Sequence, residues 1–129
     1  MIKTMLWAVA GYFLASAAVM WAAPQPWFDA VPGVAATGGY NAHFIRDLAL
    51  AFAVSGLALA TGAAAGDRRL ALFGAAWPCL HALFHIWIWG MHRGAALDLV
   101  ALVNLAGIQL PGWLALVCAA HLPQEEALA

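Results

Sequence analysis

The chain has 129 residues, of which 66% are hydrophobic and 9% charged, with a formal net charge of -1. Soluble domains carry about 25% charged residues, so a soluble fold of this length would lack the side chains for a polar surface. Five Lys and Arg in all cannot neutralise a run of phosphates, which sets nucleic-acid binding aside.

Four apolar runs follow one another, each close to the ~20 residues needed to cross a bilayer. They cover about residues 5–23, 44–65, 70–90 and 97–122. The fold expected is therefore all-α, a four-helix transmembrane bundle forming one integral-membrane domain. The first run, preceded by Lys3, also resembles a secretory leader. Pro24 directly after Ala22 and Ala23 makes a poor cleavage site, so the run is read as a span.

Charge sets the expected direction. Lys3 precedes the first span, Arg68 and Arg69 lie between the second and third, and residues 24–40 contain no Lys or Arg. Positive-inside bias then puts both termini in the cytoplasm (N-in/C-in), with Arg93 as the one opposing charge. The segment from Pro24 to Val34 holds three prolines, Trp27 and Phe28, too apolar for a free linker. It is expected to dip onto the bundle mouth, as a short interfacial helix for example. Trp21, Trp27, Trp87, Trp89 and Tyr40 would form an aromatic belt at the outer interface. After Gln124 the tail is short and acidic and is expected to be disordered.

The second span opens with His43, Arg46 and Asp47. His43 and Asp47, four apart, share a helix face, and Arg46 lies about 60° to one side. The third contains His81 and His85, which with His92 fall within about 40° of one another at helical spacing. The fourth opens with Asp98; Gln109 lies on nearly the same face, and Asn104 points elsewhere. Ionisable groups in lipid are costly and mark either a site or a buried polar network. Under the expected orientation His43, Arg46, Asp47, His85, His92 and Asp98 share the outer half, with His81 about 6 Å deeper than His85.

Imidazole and carboxylate suit Zn or Cu, with His43, Asp47, His81, His85 and Asp98 as candidate metal ligands. Paired imidazoles on different helices could instead clamp a haem. A third possibility is a quinone-like head group or a proton path, with Arg46, His81 and His85 as the cofactor-binding candidates. The structural alternative is an ion pair of Arg46 with Asp47 or Asp98 that only sets helix register, together with histidines bonded to backbone carbonyls. Cys79 and Cys118 lack a CxxC spacing and read as small core residues. The many Ala and Gly residues, such as Ala49, Ala53, Gly56 and Ala60, read as close helix packing. Pro78 and Pro111 are expected to kink the third and fourth spans.

An outer Pro-rich loop, the run from Asn41 to Asp47 (His-Phe-x-Arg-Asp within it), and a short cytoplasmic turn together resemble small four-helix bacterial inner-membrane proteins of the DoxX-like kind. The likeness covers the layout of residues 5–120, with specific matching at those few positions. It implies the fold and a bacterial inner (cytoplasmic) membrane location. Some members are similar to quinone- or thiol-oxidation subunits, but Cys79 and Cys118 form no matching redox pair, and no activity passes to a residue here.

Two functions follow as expectations. One is a membrane protein whose intramembrane His/Asp/Arg cluster binds a metal, haem or quinone-like ligand. The other is a non-catalytic accessory subunit packed against a larger membrane complex, or a homo-oligomer, within the lipid bilayer. An enzyme acting on a membrane-soluble substrate ranks below both, because the chain shows no nucleophile or cofactor motif.

Overall fold

The computed structural model describes residues 1–123, so the acidic tail lies outside the described residues. Among them the chain is helical throughout, without a strand. α1 runs over Ile2–Ala22, the short α2 over Pro24–Ala30, α3 over Ala42–Ala65 and α4 over Arg68–His92. The last span is interrupted: α5 (Leu99–Asn104), a π-helical turn (Leu105–Gln109) and α6 (Leu110–Ala120). Four helices, counting this last as one, are long and apolar enough to cross a membrane.

The boundaries have local causes. A helix leaves its first N–H groups without intrahelical partners, and short polar side chains satisfy them. Asn41 Oδ1 accepts from the N–H groups of His43 and Phe44 at 3.0 and 3.1 Å. Asp67 Oδ1 does the same for Arg69 and Leu70 at 2.9 and 3.0 Å. Between α3 and α4 the chain reverses at Gly66, whose φ of 65° is left-handed and favours glycine. Pro24 opens α2 where its missing N–H costs nothing. Pro24 is buried, and Trp27 and Phe28 pack against the core, so the first long connection lies on the bundle.

α1 packs on α3, α3 on α4, α4 on α6, and α6 returns to α1, a closed ring of four. The core is built from a few large side chains, Leu6, Phe13, Met20, Ile45 and Leu59, among many alanines. Lipid tails are as apolar as leucine, so helices in a bilayer associate through close packing and not through expulsion of water. Glycine allows that approach: a Cβ on Gly74 would lie 2.8 Å from the Leu59 nitrogen, and one on Gly112 3.0 Å from the Pro78 carbonyl.

The ring is tight at the end bearing the Asp67 turn and looser at the end bearing α2. There α5 has no extensive contact with α1 or α3. Its Val100 rests on Gly33 of the first loop, where an added Cβ would meet Val100 Cγ1 at 2.5 Å.

Candidate functional site

The candidate residues separate into small groups. His43 and Asp47, both exposed on the first turns of α3, face each other with Nδ1 and Oδ1 3.5 Å apart. Asp98 caps α5 by accepting from the Ala101 N–H at 2.9 Å, and it pairs with Arg93. The Ala101 N–H first, and then Arg93, hold its carboxyl below the usual carboxylate range. Among the described residues, no three His, Cys, Asp or Glu side chains come together as a metal site. The candidates His43, Asp47, His81, His85 and Asp98 therefore do not meet as one metal site among the described residues.

The expected ion pair of Arg46 with Asp47 or Asp98 is also replaced. Arg46 leans on α1: its Nε–H donates to the Trp21 carbonyl at 3.3 Å, and its guanidinium carbon lies 5.9 Å from the centre of the Trp21 ring. The reason is local. Trp21 is in the last turn of α1, where carbonyls lack intrahelical partners, so an acceptor stands within reach of Arg46. Asp98 has a nearer cation, Arg93, in its own loop. His92 is exposed, its ring edge-on to Trp87, and exposed His121 places Nδ1 2.8 Å from the Val117 carbonyl.

His81 and His85 remain, and around them the structure builds a site. Their rings meet edge to face, tilted by 67°, with centroids 4.5 Å apart. His81 lies flat against Trp77 at 4.8 Å and 14°, with Phe52 of α3 edge-on at 6.4 Å. At 1.5 Å per residue His81 is about 16 Å from the end of α4, near the middle of a ~30 Å hydrocarbon layer.

A chain of hydrogen bonds from the fourth span ends on His85. Trp113 Nε1–H donates to Gln109 Oε1 at 3.0 Å. Gln109 Nε2 donates to the Ala82 carbonyl at 2.9 Å and to Asn104 Oδ1 at 3.0 Å. Asn104 Nδ2 meets His85 Nδ1 at 2.6 Å. Indole N–H can only donate and a backbone carbonyl can only accept. Those two anchors fix both amides, and therefore make His85 Nδ1 an acceptor. The imidazole is then neutral with its proton on Nε2. Among the described residues, no hydrogen bond is made by His85 Nε2 or by either nitrogen of His81. These atoms are not sealed in the protein, since no fully buried side-chain nitrogen or oxygen lacks a partner. Both histidines are half-buried.

Asn104, Gln109 and Trp113 were not among the candidates. In a regular helix positions five apart diverge by about 140°, which is why Asn104 reads as pointing elsewhere. The π turn between them closes i→i+5 and brings the two amides to one face. Pro111 supplies a cause: without an N–H it leaves the Gly107 carbonyl unpaired at i−4, and Tyr12 Oη–H from α1 donates to that oxygen at 2.7 Å. The available signal was an amide two residues before a proline inside an apolar span.

The chain matches no family model, no curated protein and no solved structure.

Proposed function

We propose that this multi-pass membrane protein binds a lipid-soluble ligand with a planar ring and a carbonyl group, a quinone-like molecule, at the His81–His85 face. The observation that carries this reading is the set of imidazole nitrogens at membrane depth without protein partners, one of them committed as a donor. An unsatisfied polar atom in hydrocarbon costs several kcal/mol unless something pairs with it. A ligand carbonyl would accept from His85 Nε2–H, and the ring would lie against the His81–His85 pair. The sparse packing of α5 on α1 and α3 would allow entry from the bilayer. Two imidazoles alone fall short of the three or four protein ligands that Zn sites use, which favours an organic ligand over a metal.

The same reading places both termini in the cytoplasm and the protein in a bacterial inner membrane, as the Lys/Arg distribution and the DoxX-like resemblance suggest. The His pair would then serve the outer half of the bilayer. Single-cysteine labelling at position 29 in intact cells, in a chain lacking Cys79 and Cys118, tests the direction; labelling only after permeabilisation reverses it.

Binding is tested by titrating the protein in lipid nanodiscs with a short-chain ubiquinone or menaquinone analogue. His85→Ala should weaken binding about fivefold or more, the equivalent of one hydrogen bond. Asn104→Leu, which releases the His85 proton from Nε2, should weaken it in the same direction. Absence of saturable binding, or equal affinity in wild type and His85→Ala, removes the proposal.

A further inference from the structure

A second feature of the surface lies away from the His81–His85 face. α1 and α3 leave a shallow groove of about 240 Å³ between them. Ala17, Ala18, Trp21, Ala49, Leu50 and Ala53 are among the residues that line it. Its volume is below the ~300–1,000 Å³ of pockets that enclose a small molecule, and no lining residue brings a charge. That is the form of a seat for an alkyl chain. An empty notch on a lipid-facing surface forfeits dispersion contacts, and a chain laid in it recovers them.

Arg46 stands at the mouth. It is one turn before Ala49 and Leu50 on the same face of α3, and it is tied to Trp21 by the bond to the Trp21 carbonyl and by its place over the Trp21 ring. That bond uses Nε and leaves both Nη groups to donate. Among the described residues no carboxylate pairs with Arg46, and the adjacent Asp47 turns to His43. A held guanidinium with two outward donors fits a phosphate better than a lysine would. Arg46 also lies five residues into α3, close to the level at which lipid head groups begin.

We infer that this groove is a binding site for a phospholipid of net negative charge, one acyl chain lying over Ala18 and Ala53 and the phosphate on Arg46. The site does not depend on what binds at His85. One basic side chain near a membrane surface favours an anionic lipid by a factor of about five.

The experiment is native mass spectrometry of the full chain released from micelles holding equimolar phosphatidylglycerol and phosphatidylcholine. The wild type should retain phosphatidylglycerol over phosphatidylcholine by about fivefold. Arg46→Gln should bring that ratio close to one. Ala18→Phe, a change at an exposed position that fills the groove, should lower retention of both lipids while the protein stays folded. Equal retention by the wild type, an unchanged ratio in Arg46→Gln, or undiminished lipid in Ala18→Phe would each overturn the assignment.

Discussion

Gln109 is the junction of the polar chain, and replacing it by Leu tests whether that chain holds the fourth span in place. The substitution keeps the side chain's approximate volume and removes three hydrogen bonds, to Ala82, Asn104 and Trp113. Hydrogen bonds between helices in a bilayer average about 0.6 kcal/mol and reach about 1.7. Gln109→Leu should therefore cost about 2 kcal/mol, with an upper bound of about 5. The Ala82 carbonyl sits within α4 and keeps a helical position, so most of the loss falls on Asn104 and Trp113. Denaturation with SDS in bicelles, followed by circular dichroism, measures it. A cycle with Asn104→Leu adds a sharper test. The Asn104–Gln109 bond can be lost only once, so the double variant should lose less than the two singles together, by about 0.6 kcal/mol. A cost below about 0.5 kcal/mol would show that Gln109 does not help to hold the fourth span in place, and strict additivity would show that Asn104 and Gln109 do not bond to each other.

Two further outcomes follow from particular contacts. Gly62→Ala should destabilise the α3–α4 hairpin by about 1–3 kcal/mol in thermal unfolding. The new Cβ would lie 2.6 Å from the Ala71 nitrogen and 2.9 Å from the Asp67 carbonyl, both backbone atoms that cannot rotate away; unchanged stability would contradict this packing. Asp98 has a folded-state pKa held below its ordinary 3.8, by the Ala101 N–H first and Arg93 next. A depressed carboxylate contributes stability that is full above the unfolded value and is lost as pH falls through the folded one. Fraying of α5 should therefore appear only below pH 3.8, read as faster amide exchange at Ala101, and Asp98→Asn should remove that acid dependence.

The sequence and the structure agree where a single physical rule decides. Backbone groups in hydrocarbon must be paired within the segment, so long apolar runs must be helices, and four of them are legible from hydropathy alone. Caps are legible for the same reason: Asn41, Asp67 and Asp98 each precede a helix and each accepts from its first turn. That rule also explains what the charge pattern hid. Asp98 and Asp47 look like intramembrane carboxylates in a hydropathy reading, but both stand in or beside a first turn and are exposed. Polar residues at the lip of a span have partners close by in their own turn or loop, so spacing alone cannot send them inward.

The second gap concerns periodicity. Placing side chains by steps of 100° assumes an unbroken α-helix, and one π turn displaces everything on one side of it relative to the other. Asn104 and Gln109 are the two amides of the spans, and a regular helix would hold them too far apart to bond. Pro111 removes one backbone donor, the turn widens over Leu105–Gln109, and the Gly107 carbonyl becomes an acceptor for Tyr12. That local defect aligns Gln109 with Asn104 and delivers an amide N–H to His85. The proton on His85 Nε2 is thus set by a proline twenty-six positions along the chain. In an apolar span, a proline shortly after an amide marks where helical counting should stop and the hydrogen bonds of each polar group should be followed instead.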